Sequence, residues 1–199
     1  MSNKKVILEK AANIPTWLAE DEKVRLIELA MEVALGKLIV EIGSLYGGST
    51  ALLALAAPKA KVIAIDNFSW SPITERPASQ AELLRNMASC EIENVTVMEG
   101  DSRRIGFAWQ GVITLLWIDG GHSYEFVRMD LGNFGPWAYK IALHDYDNPA
   151  WPSVKQAVED FIAKYPIWEI ESVVGMLVTL KRNNTPVQLI YKDEVIELS

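Results

Sequence analysis

The sequence predicts an α/β fold: a mostly parallel sheet with helices on both faces and an antiparallel hairpin at its C-terminal end. Two observations carry that expectation. From Leu38 to Lys164, short apolar runs of strand length alternate with helix-length stretches, the pattern of strand–helix–strand units with right-handed crossovers. The two strand-like runs that follow, 167–173 and 176–181, are separated only by Val174-Gly175, a spacing that suits a hairpin.

The elements follow in order. Leu18, Val24, Ile27, Met31 and Ala34 recur at helical spacing between Trp17 and Leu35, with Asp21 and Glu22 early, where the helix dipole favours acids, and Gly36 as a stop. Leu38-Ile39-Val40 reads as a buried strand, residues 51–57 as a helix ended by Pro58, and 61–65 as a second strand ending at Asp66. A polar loop over 67–77 precedes a helix over 78–89, then a third strand at Val95-Thr96-Val97-Met98. A fourth strand over 112–118, a helix over 124–134, a fifth strand over 140–143 and a helix over 153–164 complete the alternation. Two β-like runs flank Lys192-Asp193 in the tail. One domain is expected over 1–199: an N-terminal helical segment (1–36), a core (37–182) and a C-terminal β-like extension (183–199).

Composition narrows the function. The chain of 199 residues is half hydrophobic, which excludes disorder, yet no stretch reaches the roughly 18 consecutive apolar residues of a membrane span. Charge interrupts the N-terminal run too early for a signal peptide, and Cys90 stands alone, so a cytoplasmic protein without disulfides is expected. A net charge of −7 disfavours a phosphate backbone as partner. Neither nucleic acid nor membrane is therefore expected. The tail and the outer face of the first helix are candidate homo-oligomer surfaces.

Chemistry concentrates where strands end. Both histidines sit beside an aspartate after a buried run: Asp119-Gly120-Gly121-His122 and His144-Asp145-Tyr146. Ligands bind outside the carboxyl ends of the strands in open parallel sheets. If these two strands are neighbours, two carboxylates and two imidazoles share one crevice. After the first strand, Gly43-x-x-x-Gly47-Gly48 makes a tight turn before a helix N-terminus. It lacks the dinucleotide Gly-x-Gly-x-x-Gly, and Gly48 stands where a phosphate loop needs lysine. Glu41 ahead of the turn suits a cationic ligand, and Asp66 lies where a carboxylate can accept from a ribose diol.

These residues together resemble the class I S-adenosylmethionine-dependent methyltransferases, and more narrowly a bacterial small-molecule family. The resemblance rests on Val40-Glu41-Ile42-Gly43 with Gly47 and Ser49, then Asp119-Gly120-Gly121-His122-Ser123-Tyr124, then His144-Asp145-Tyr146, and it spans about 17–165. One departure is Gly135-Pro136-Trp137 where many relatives carry Pro-Gly-Gly. The resemblance implies a Rossmann-like sheet with S-adenosylmethionine as cofactor. The turn formed by Gly43, Ser44, Gly47, Gly48 and Ser49 would pass under its amino-acid part, with Glu41 ahead of it. Asp66 would hold the ribose beside Asn67, Asp101 would meet the adenine amino group beside Ser102, and Asp119 would also border the cofactor, with His122 over its methyl.

His122, three residues past Asp119, is the candidate general base, since a histidine titrates near working pH and related catechol-type enzymes place a lysine base at this spacing. Asp119 and Asp145 are candidate ligands for a divalent cation, magnesium first; adding His144 would admit manganese or zinc. Such an ion would lower the pKa of the acceptor hydroxyl. Tyr46, Trp70, Tyr146 and Trp151 are candidate walls for a small hydroxylated acceptor, while Trp17, Trp117 and Trp137 are expected to pack. A non-catalytic binding or assembly protein of the same fold is the alternative. A nicotinamide-dependent oxidoreductase lacks its glycine fingerprint, and a nucleobase N-methyltransferase lacks Asn/Asp-Pro-Pro-aromatic after the fourth strand.

Overall fold

The computed structural model describes residues 3–71, 76–183, 188–191 and 194–197. In chain order these form α1 (Asn3–Ala11), α2 (Glu20–Met31), β1 (Leu38–Ile42), α3 (Gly48–Ala56), β2 (Lys61–Asp66), β3 (Trp70–Ser71), β4 (Arg76–Pro77), α4 (Gln80–Ser89) and β5 (Val95–Glu99). There follow α5 (Ser102–Phe107), β6 (Ile113–Ile118), α6 (Tyr124–Phe134), a 3-10 turn (Gly135–Trp137), β7 (Ala138–Leu143), α7 (Pro152–Lys164), β8 (Trp168–Val174), β9 (Leu177–Arg182), β10 (Gln188–Tyr191) and β11 (Glu194–Glu197).

Among the described residues, a seven-stranded sheet runs in the order β5-β2-β1-β6-β7-β9-β8. The first five strands pair in parallel. The hairpin joins antiparallel through β9, leaving β8 at the edge. The expected α/β class, the neighbouring fourth and fifth parallel strands and the closing hairpin are all present. From β1 the chain moves out through β2 to β5, then returns to the other side of β1 for β6 and β7. The reversal makes a switch point between β1 and β6, where loops diverge and leave a crevice.

Each strand alternates its side chains between the two faces. Ile39, Val62, Leu115 and Trp117 join Leu26 and Ile27 of α2, Leu52 and Leu53 of α3, and Leu83 and Met87 of α4. Val40, Leu116, Ile118, Ile141 and Leu143 join Val127, Leu131 and Phe134 of α6, and Val154, Val158 and Phe161 of α7. The starts of α4 and α6 carry serine caps. The Ser79 hydroxyl accepts from the Glu82 amide at 3.2 Å and Ser123 accepts from Phe126 at 3.4 Å, each satisfying a donor that the first helical turn leaves open.

Several sequence expectations need amending. Trp17 is 54% exposed and does not pack in the core, whereas Trp117 is fully buried. The polar loop after β2 contains the short β3–β4 pair, and the side chain of Trp70 lies outside the described residues. α5 lies between the third and fourth expected strands, where no helix was expected. The two β-like runs of the tail form β10 and β11, which pair with each other.

The switch point depends on one glycine. Gly43 has φ +90°, and a Cβ there would fall 2.1 Å from the Asp119 carbonyl oxygen. Backbone occupies that space, so no rotamer relieves the clash. Gly43→Ala should lower unfolding stability by about 3 kcal/mol or more. Gly132→Ala in α6, where a Cβ meets nothing within 4 Å, should raise it by roughly 1 kcal/mol. Urea unfolding of the two variants checks the contrast, which equal effects would contradict.

Candidate active site

The ends of β1, β2, β6 and β7 lie in register and build one edge. Ile42 pairs with Ile65 and with Ile118, which pairs with Leu143. Hydrogen bonds continue one step further: Gly43 N–H donates to the Ile65 carbonyl (2.9 Å), Asp119 N–H to Ile42 (2.8 Å) and His144 N–H to Ile118 (3.0 Å). The functional side chains therefore begin at the point where each strand is released.

On the β1 side, the turn from Gly43 to Gly48 closes with Gly47 N–H donating to the Ser44 carbonyl at 2.7 Å. The Ser44 hydroxyl is buried with no partner among the described residues. Asp66 accepts from the Leu45 amide at 2.7 Å and the Phe68 amide at 2.6 Å, binding the first turn to the loop after β2. Burial raises its pKa, against those amide bonds. Its oxygens retain lone pairs for a hydroxyl donor. Asn67 accepts from the Ser69 amide at 3.0 Å and shapes the same loop.

Glu41 lies beneath this turn, fully enclosed, accepting from the Ser49 hydroxyl at 2.5 Å and from the Thr50 hydroxyl. Burial pushes its pKa up to about 8, against those two hydroxyls. At neutral pH it ties the start of α3 to β1 as a largely neutral acid. Tyr46 is also buried, with Arg76 over its ring at 5.3 Å.

After β5, Asp101 caps α5 through the Arg103 amide (3.0 Å) and pairs with the Arg103 guanidinium at 2.9 and 2.5 Å. Arg103 in turn lies 4.0 Å over the Phe126 ring. The Ser102 hydroxyl donates to Asp130 at 2.7 Å. Asp130 is buried, and that burial lifts its pKa to about 6. Asp101 and Ser102 thus stand at the expected strand end, each already held by a neighbour.

On the β6–β7 side, Asp119, His122 and Asp145 bring one ligand atom each within 4.8 Å of one another. His122 Nε2 is 2.9 Å from Asp145 Oδ2. The His122 ring stacks on Trp151 at 5.0 Å and 25°, and the Ser153 hydroxyl donates to the His122 carbonyl at 2.8 Å. Asp145 has φ +61°, and Asn148 donates to it at 2.5 Å. Burial works against its charge, yet His122, His144 and Asn148 hold its pKa well below the usual carboxylate range.

His144 sits between carboxylates on both sides. Its Nδ1 is 3.4 Å from both Asp119 Oδ1 and Asp145 Oδ2, and its Nε2 is 3.1 Å from Glu22 Oε2. Burial disfavours the imidazolium, but Asp119 and Asp145 outweigh it and lift the pKa to about 11. That environment favours the imidazolium at neutral pH. The group with metal-ligand spacing contains His122 in its place. A cavity of about 10 Å³ lies among Asp119, Gly120, Gly121, His122 and His144. The larger surface depression lies elsewhere, against Val24, Arg25 and Val174.

Glu22, Asp130 and Arg103 were missed by the sequence reading. Glu22 looks like an ordinary first-turn acid, and Asp130 and Arg103 carry no motif.

The chain matches a family described as "Methyltransferase domain" over residues 40–146, from the first strand through Tyr146. No curated protein matches. Among solved structures it is similar to the O-methyltransferase NovP (22% identity, 91% of this chain and 88% of the other, TM-score 0.74). It is also similar to cofactor-bound Rv0187 from MTB (16%, 92% and 90%, TM-score 0.63) and to the SAH-bound methyltransferase PaMTH1 from Podospora anserina (16%, 92% and 89%, TM-score 0.62). At these identities the likeness carries the fold.

Glu41 gives a pH-dependent prediction. Its folded pKa of about 8 exceeds the ordinary 4.5, so between those values the unfolded chain loses the proton first and stability falls as pH rises. From pH 4.5 to 7 that contribution is roughly 3 kcal/mol. Glu41→Gln should remove it, so the stability of the variant relative to wild type should rise with pH from 5 to 8 in urea unfolding. Parallel curves would mean that Glu41 is ionised in the fold.

Proposed function

The chain belongs to the methyltransferase-domain family, as a class I S-adenosylmethionine-dependent enzyme, and on that premise we propose that it methylates a hydroxyl of a small molecule, with His122 as general base. The observation that carries this reading is the 2.9 Å contact between His122 Nε2 and Asp145 Oδ2. In the neutral ring, an Nε2–H donated to Asp145 leaves the Nδ1 lone pair to take the acceptor's proton. Asp145 then stabilises the imidazolium, as an aspartate does in a catalytic triad. Stacking on Trp151 restrains the ring, and the partly exposed indole borders the acceptor's approach.

The cofactor, when bound, supplies an electrophilic methyl on a positively charged sulfur. The residues present fit it. Ser44 offers a buried hydroxyl without a partner, Asp66 offers acceptor lone pairs at the end of β2, and the acidic edge suits a cation. His122 Nδ1 would take the hydroxyl proton of the acceptor as its oxygen receives the methyl that the cofactor would supply, and Asp145 would hold the ring in place for that transfer. The net charge of −7 favours a small acceptor over a polyanion. Among the described residues no helix is long and apolar enough to cross a membrane.

The spacing of Asp119, His122 and Asp145 supports a second reading, in which the three hold a divalent cation, magnesium first, that lowers the acceptor's pKa. His122 cannot be both ligand and base. The two readings separate in methyl transfer to a panel of hydroxylated compounds. The base reading expects His122→Ala to lower kcat by roughly 10²- to 10⁴-fold with no effect of EDTA. The cation reading expects EDTA to abolish turnover and magnesium to restore it. Turnover unaffected by both would sink both, and no transfer to any hydroxyl would favour the non-catalytic alternative.

A further inference from the structure

Glu22 has no place in the machinery described so far, yet it is among the most enclosed charged groups of the fold, at 2% exposure. Its carboxylate joins the cap of its own helix to two distant segments. Oε2 accepts from the Ala19 amide at 2.8 Å, which caps its own helix. Oε1 accepts from the Met176 amide at 2.7 Å, in the β8–β9 turn. Oε2 also lies 3.1 Å from His144 Nε2, 122 residues along the chain. Gly175 permits the approach, since a Cβ there would fall 2.5 Å from Glu22 Oε1. The Met176 carbonyl meanwhile accepts from the Tyr146 amide at 2.9 Å, so the hairpin turn is fixed both to Glu22 and to the turn that carries Asp145.

Capping and turn closure alone do not call for a buried carboxylate, because a hydroxyl or a water satisfies an amide without the cost of burying a charge. The third contact differs in kind. Past His144, contacts continue into the site: Glu22 to His144, His144 Nδ1 to Asp119 and Asp145 at 3.4 Å, and Asp145 to His122 at 2.9 Å. An imidazole has two edges. With Nε2 engaged by Glu22, its Nδ1 edge must face the two carboxylates, which fixes the oxygen that Asp145 presents to His122.

We propose that Glu22 is a positioning residue of the methyl-transfer reaction, acting through His144 and Asp145 on His122. This rests on the reading of His122 and Asp145 as a working pair. Without Glu22, the His144 ring can rotate about its side-chain bonds, and Asp145 keeps Asn148 on Oδ1 but loses the neighbour that holds Oδ2, the oxygen facing His122. Misplacement of this size lowers the chemical step rather than binding.

The test uses the full chain with Glu22→Gln, which keeps an acceptor oxygen for the amides. A roughly tenfold to hundredfold fall in kcat is expected, with acceptor KM and S-adenosylmethionine affinity within about twofold of wild type. In a His122→Ala background the same substitution should have little further effect, because interacting residues are non-additive. The same factor in both backgrounds would reduce Glu22 to a structural role. Nitrogen-15 NMR gives a readout independent of turnover: the chain has only two histidines, so His122→Ala assigns both rings. Glu22→Gln should move the ring signals of His122 as well as those of His144. Unmoved His122 signals with unchanged kcat overturn the proposal. If His122→Ala itself leaves turnover intact, the base reading fails separately, and the NMR result still decides whether Glu22 reaches His122. Should Glu22→Gln not fold, His144→Gln keeps the bonds from Glu22 to Ala19 and Met176. The same fall in kcat is then expected, and an unchanged kcat contradicts the relay.

Discussion

The contact between the backbones of Gly43 and Asp119 is the constraint on which the site depends. Here β1 and β6, neighbours with chain continuations in opposite directions, release their loops after Ile42 and Ile118. Only a residue without a side chain can stand at Gly43, with φ +90° and the Asp119 carbonyl 2.1 Å from where a Cβ would be. This close approach sets the glycine turn and the Asp119–His122 loop on two sides of one crevice. The proposed cofactor residues of the β1–β2 edge and the proposed reacting residues therefore come from different halves of the sheet, and the switch point makes them neighbours.

The crevice is acidic, and its carboxylates are managed in three ways. Glu41 is buried with hydroxyl donors and stays largely neutral at pH 7, with a pKa of about 8. Asp66 is held by backbone amides. Asp119, Asp145 and Glu22 surround His144, whose imidazolium offsets their mutual repulsion. Like charges this close would otherwise push one another toward protonation. The balance keeps Asp145 ionised next to His122 while the edge as a whole still favours a cationic cofactor.

Much of this was legible in the chain because the signals were local. Alternating apolar runs gave the strands, and Gly43, Asp66, Asp119 and the His144-Asp145 pair marked the strand ends where ligands bind. The neighbouring positions of β6 and β7 placed both histidines together, as their matching contexts suggested. The proposed partition of roles between them was hidden, because His144 is engaged by Asp119, Asp145 and Glu22 together, and Glu22 reaches it only through the packing of α2 and the β8–β9 turn. Glu41 misled in the same manner: its position before the turn suggested a charge facing a ligand, whereas Ser49 and Thr50 of α3 enclose it. Trp17 carries the apolar ring of a core residue, yet the entry to α2 leaves it half exposed.

The most direct test of the account is calorimetric titration of the protein and of its Asp66→Ala variant with S-adenosylmethionine and S-adenosylhomocysteine. A crevice at the switch point that takes this cofactor predicts micromolar binding to the wild type, weakened at least about tenfold in the variant, as expected for loss of a hydrogen bond worth about 1.5–3 kcal/mol to a charged acceptor. No binding to a folded wild-type protein, or equal binding to both, would contradict the assignment of the cofactor to the β1–β2 edge.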